Sequence, residues 1–152
     1  MDVFAGFSDT TTSHQYKEGA EQLQSQSVDV ESFMEWSSEV NIKKVCLERG
    51  GDKMCLLHIA VMFRAPLPCI KVVLAANLDA ATLKDEDGRT ALHYALMDAC
   101  TAVALIIIAQ CPSSAYIIGP SNQTPLFISI LNTDLGTEVV LALLNTWYVA
   151  YT

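Results

Sequence analysis

Cys55 and His58 stand three residues apart, a spacing at which a thiolate and an imidazole can share one zinc ion. Cys46 and Cys69 lie near them in sequence. A closed zinc site normally shows two such pairs at defined spacing, and only one is present, so no metal is expected. The three histidines, His14, His58 and His93, could each serve a serine or cysteine nucleophile if the fold brought them together. No GxSxG, HExxH, P-loop or GxGxxG motif accompanies them. The expectation is a chain with no enzymatic activity, no catalytic residue and no cofactor.

The surroundings of the histidines explain them better. Asp87-Gly88-Arg89-Thr90-Ala91-Leu92-His93-Tyr94-Ala95 is one letter from a Gly-x-Thr-Pro-Leu-His-x-Ala run. Cys55-Leu56-Leu57-His58-Ile59-Ala60 repeats its core upstream, and Asn122-Gln123-Thr124-Pro125-Leu126-Phe127-Ile128-Ser129 repeats it downstream. Leu92 and Leu126 are 34 residues apart, and the two Leu-His pairs are 35 apart. A second landmark keeps the same period: Asn77-Leu78-Asp79-Ala80-Ala81 matches Cys111-Pro112-Ser113-Ser114-Ala115. A fixed period of this size marks a stacked repeat protein. On these residues the chain resembles the ankyrin repeat family, over about 52–145 and weakly over 29–51. The resemblance implies an all-α solenoid of helix-turn-helix repeats joined by hairpin loops.

Each motif position has a physical role. Thr90 and Thr124 precede a first helical residue, where a hydroxyl can satisfy an orphan N–H of the helix start. Pro125 follows at a site where its missing N–H costs nothing. Cys55 replaces the threonine in the first repeat, so that cap should be weaker. Gly88 occupies a loop position where φ > 0 is expected; Asn122 tolerates that geometry and Lys53 tolerates it less well. Leu57, Leu92 and Leu126 should be core, and Ala60, Ala95 and Ser129 should be small where helices of neighbouring repeats meet. The resemblance gives the histidines a structural role, as hydrogen-bonding links between neighbouring loops. Phe127 loses that link in the third repeat.

Repeat boundaries are expected at 52–86, 87–120 and 121–152, after a degenerate leading helix pair at about 29–51. That pair rests on Val30, Phe33 and Met34, then Ile42, Val45 and Cys46, with Gly50-Gly51 as a stop and Trp36 covering the end of the stack. Second helices should bury the pairs Val73-Leu74, Ile106-Ile107 and Leu143-Leu144. Ser, Thr and Gln dominate residues 1–28, which read as a flexible tail with a short helix near Tyr16–Gln24 and a phosphorylatable cluster at Ser8–Ser13.

Composition narrows the function. The 152 residues suit about one domain, and 51% are hydrophobic, enough for a real core. A net charge of −8 argues against nucleic acid, whose phosphates demand Lys and Arg, and favours a basic protein partner. Five cysteines without a CxxC pair point to a reducing compartment. The N-terminus carries no secretory pattern, and the apolar run Ala102–Ala109 is too short for a membrane span. A cytoplasmic location is expected, with the nucleus as the alternative.

By resemblance, a partner protein would meet the loop tips and the exposed faces of first helices. Those positions are Glu86, Asp87, Arg89, Tyr94 and Asp98 in the middle repeat. In the flanking repeats they are Lys53, Met54, Ile59, Met62, Arg64, Gln123 and Ile128. Tyr94 beside Arg89 is the preferred anchor, because both types are enriched at interface hot spots. The leading expectation is an adaptor, scaffold or inhibitor; the rival is a regulatory segment of a larger enzyme or channel. Val139 to Tyr148 should leave an apolar edge exposed, which implies self-association or a missing neighbour. An interfacial membrane role for Trp147, Tyr148 and Tyr151 is disfavoured by the lack of Lys and Arg there.

Overall fold

A computed structural model describes residues 10–152. Among them are nine α-helices, three 3₁₀ segments and no strand. The helices are α1 (Thr10–Gln24), α2 (Val30–Glu39), α3 (Ile42–Val45), α4 (Leu56–Met62), α5 (Leu67–Ala76), α6 (Ala91–Met97), α7 (Thr101–Gln110), α8 (Pro125–Leu131) and α9 (Thr137–Ala150). Most are too short to persist alone in water, so tertiary packing must hold them.

That packing forms two layers. The inner layer runs α1, α4, α6, α8, each helix against the next; the outer layer runs α2, α5, α7, α9 in the same way. A short helical segment follows each of the first three outer helices: α3, then the 3₁₀ turns Leu78–Thr82 and Pro112–Tyr116. The array therefore contains four inner–outer pairs.

The leading pair corrects the sequence reading twice. The segment over 1–28, read as a flexible tail with a short helix near Tyr16–Gln24, does hold a helix, but α1 is longer and docked, with Tyr16, Ala20 and Leu23 buried. The inner helix of the leading repeat is α1, so the pair is α1 with α2 rather than two helices within 29–51. Trp36 does not cap an open end. It is 6% exposed and packs on Phe33 with ring centroids 5.3 Å apart. Its Nε1–H donates to Glu18 Oε2 at 3.1 Å, and its ring leaves no room for a side chain at Gly19. Residues 1–9, which include Ser8 of the Ser/Thr cluster, lie outside the described residues.

The second-helix register also shifts. Val73-Leu74 are buried as expected, but the matching pair in α7 is Ile107-Ile108, 34 residues on. Ile106 is half-buried. In α9 the buried residues are Val139 and Leu143, and Leu144 faces outward. Leu126 is half-buried against the core rather than fully within it.

The three recognised loops share one backbone plan. Gly50 N–H donates to Met54 O, Asp85 N–H to Arg89 O and Gly119 N–H to Gln123 O, at 2.8–2.9 Å. The residue before each acceptor has positive φ: Lys53 at 56°, Gly88 at 83° and Asn122 at 57°. Lysine thus occupies a region that costs an ordinary L-residue roughly 1–2 kcal/mol. Arg64 and Ala99 sit at φ 53° and 55° just after α4 and α6, where Ala65 N–H returns to Ala60 O and Cys100 N–H to Ala95 O. These are left-handed helix ends of the kind glycine usually makes.

Candidate functional site

His58 and His93 serve the scaffold, and His14 is exposed on α1. Cys55 N–H donates to His58 Nδ1 at 3.3 Å and Thr90 N–H to His93 Nδ1 at 3.1 Å, a reciprocal cap that is longer at the cysteine. An Nδ1 that accepts leaves the proton on Nε2. His58 Nε2 then lies 3.1 Å from the Arg89 carbonyl of the next repeat. His93 Nε2 is buried facing the corresponding carbonyl of Gln123, without a well-aligned hydrogen bond. Tyr16 in α1 does the same work for the leading repeat, donating its hydroxyl to Met54 O at 2.6 Å. The carbonyls of 54, 89 and 123 each face a polar side chain from the preceding inner helix.

Burial holds both His58 and His93 below the ordinary imidazole value, hence neutral near pH 7. Cys55 Sγ is 3.0 Å from His58 Nδ1, but burial pushes its thiol well up, and Cys46 is raised to about 12 by burial. Thiols so raised stay protonated and are poor nucleophiles. All five cysteines are free, and no group of three metal-ligating side chains occurs among the described residues.

The positions expected to meet a partner fall into two groups. Lys53, Glu86 and Asp87 are exposed on the loop tips, and Arg89 and Gln123 are half-buried beside them. Met62, Arg64 and Asp98 lie instead where inner helices turn towards outer ones. There the Arg64 guanidinium donates to Asp98 O at 3.1 Å, joining two repeats. Ile59 and Ile128, expected on the exposed faces, are buried. Helices α4 and α6 pack on an inner helix at either side and on their own outer helix, and α8 packs on α6 and α9, which leaves these two positions little free face.

Tyr94 and Arg89 do come together, around a residue that the motif reading passed over. Asp85 is buried; it accepts from Tyr94 O–H at 2.5 Å and from Arg89 N–H at 2.8 Å. Arg89 stacks 6.0 Å from the Tyr94 ring centroid and pairs with Asp87 at 2.7 Å. Burial, then the Asp85 carboxylate, raises the Tyr94 hydroxyl to about 12. This cluster is rigid, with the phenol committed inward. Asp52, at the spacing that also relates Gly50 to Asp85, was missed as well; Glu86 N–H donates to its carbonyl at 2.9 Å, so successive tips are tied into one edge. No helix among the described residues is long and apolar enough to cross a membrane.

The chain matches the family model of ankyrin repeats, in three copies, over residues 57–149. A search of curated proteins finds no match. Ankyrin repeats are protein–protein interaction modules. With its period, its paired helices and a family match over more than half its length, the chain belongs to the ankyrin repeat family.

Proposed function

We propose that the chain is a non-enzymatic binding module, an adaptor, scaffold or inhibitor, that holds a basic partner protein along its loop-tip edge. One observation carries this reading: Asp52, Glu86 and Asp87 are exposed on two tips tied to each other by a backbone bond, and of the three only Asp87 is ion-paired, to Arg89. The net charge of −8 would steer a basic partner towards this edge. The Asp85–Arg89–Tyr94 cluster sets the geometry of the edge from behind. The test is capture of interacting proteins by the folded wild-type chain and by Glu86→Lys/Asp87→Lys, with circular dichroism to establish folding. A partner lost only from the variant supports the reading; equal capture by both refutes it.

A second reading rests on the far edge. Leu131, Leu141, Leu144 and Tyr148 are between 45% and 71% exposed on α8 and α9. Such a face suits a further repeat of a longer protein, in which this segment would be regulatory, or a second copy of itself. Trp147 is covered by Tyr116, at 5.0 Å, and stacked by Tyr151, at 5.8 Å, so part of the apolar end folds on itself. Sedimentation of the wild type and of Leu141→Glu/Leu144→Glu separates the cases. Association abolished by the variant supports self-contact, and a monomeric wild type removes it.

A further inference from the structure

The trough between α1 and α4 is left unused by the loop-tip edge, yet it opens onto it. Tyr16, Ile59, Met62 and Phe63 line it, with Asp52 and Met54 at its border, and it encloses about 350 Å³. Phe63 is 47% exposed, and Met54 and Met62 are half-buried. An adjoining hollow of about 190 Å³ is lined by Asp52, Met54, Asp85, Glu86 and Asp87. The two share Asp52 and Met54, so the apolar trough and the acidic hollow adjoin at these residues. Tyr16 fixes the junction by its bond to Met54 O, and the Glu86–Asp52 backbone bond fixes the acidic wall.

The charges at this junction are not all neutralised within the fold. The Asp85 carboxylate is taken by Tyr94 and the Arg89 amide, and Asp87 by the Arg89 side chain. Asp52 and Glu86 are exposed and form no ion pair among the described residues. Lys53 and Lys84, on the same loops, line neither hollow. Arg49, the other nearby cation, is committed to the carbonyls of Lys53 and Lys84.

We propose that the joined trough binds a partner segment carrying an aliphatic or aromatic anchor next to a Lys or Arg. The anchor fills the α1–α4 trough against Met54, Met62 and Phe63, and the cation meets Asp52 and Glu86. Methionine-lined surfaces adapt to different anchors, while two unpaired carboxylates favour a cation and reject an acidic residue. This deepens the interaction-module reading and rests on it. It also gives α1 a part in recognition.

A random dodecapeptide phage library panned against the immobilised chain is the probe. Enriched sequences should join an apolar residue to Lys or Arg. The corresponding synthetic peptide should bind at least tenfold more weakly to Phe63→Ser and to Asp52→Asn/Glu86→Gln, both at surface positions, and should weaken between 50 and 200 mM salt. An acidic or charge-free consensus, no enrichment, or a peptide indifferent to both variants overturns the proposal. If the trough variants bind protein partners normally while Glu86→Lys/Asp87→Lys does not, the trough proposal falls and the interaction module stands. If no loop-tip or trough variant affects any partner, both fall.

Discussion

Gly19→Ala discriminates between a docked α1 and a free one by the sign of its effect. A β-carbon at Gly19 would lie 2.3 Å from Trp36 Cη2, 2.8 Å from Cζ2 and 3.0 Å from Cζ3. The ring cannot easily retreat, because it is packed on Phe33 and its indole N–H is held by Glu18. Inserting a methyl into such packing costs ~1–3 kcal/mol, and three close ring contacts put this site towards the upper end. Replacing glycine by alanine within a helix returns ~1 kcal/mol. The net expectation is a loss of about 1–2 kcal/mol. For a domain of this size that lowers Tm by roughly 2–8 °C, at 2–4 °C per kcal/mol. Thermal melting followed by circular dichroism at 222 nm measures it. In a free N-terminal helix the same change would only add helicity. A Tm equal to or above that of the wild type would therefore show that α1 does not dock through Trp36 and that the leading repeat is wrongly built.

Leu92→Ala, in the buried centre of α6, should cost ~2–5 kcal/mol in chemical denaturation, and a loss under ~1 kcal/mol would remove Leu92 from the core. Lys53→Gly should stabilise by about 0.5–1 kcal/mol, since relief of its left-handed backbone at φ 56° exceeds the extra chain entropy of glycine; a destabilised variant in urea titration would contradict this. Stability should fall as pH drops below about 6.5. His58 and His93 are held below that value by burial, so the unfolded chain takes up protons first and the stabilisation present above pH 6.5 is lost on acidification. Denaturant midpoints across pH 7.5 to 5 should show that decline, and His58→Gln/His93→Gln should flatten it.

The recurring motif made the loops and the central helices legible, down to the left-handed backbone at Lys53, Gly88 and Asn122. Gly88 and Asn122 are read from residue chemistry, because a φ demand shows in the local sequence; Lys53 follows only from its place in the repeat, since its own side chain disfavours that backbone. The leading repeat was not legible for the opposite reason. Tyr16, Ala20 and Leu23 keep an i, i+4, i+7 spacing that marks a helix, but so narrow an apolar stripe among Thr, Ser, Gln and Glu does not show that the helix is docked. The register slip in α7 has a third cause. Residues 102–109 are all apolar, so hydrophobicity has no phase from which to choose Ile107-Ile108 over Ile106-Ile107. Of the surface positions, the loop tips followed from the repeat, whereas Asp85 and the α1–α4 trough depend on contacts between segments that no motif relates.

The forward-reaching side chains give the array a direction. Tyr16 and His58 each bond a carbonyl of the following repeat, His93 faces the next carbonyl poorly aligned, and Phe127 offers no polar group in that place. Opening a repeat removes the acceptor from its predecessor's donor, and a hydrogen bond exchanged for water in this way is worth about 0.5–1.5 kcal/mol. Detaching α8 and α9 takes little from His93 but frees the Tyr116 hydroxyl from Thr146 O and the Asn132 amide from the end of α6, while opening the loop before α6 takes the Arg89 carbonyl from His58. In this one set of links the array is graded: the bond is made at α1 and α4, slack at α6 and missing at α8, so successive repeats are not joined alike although their helices stack alike.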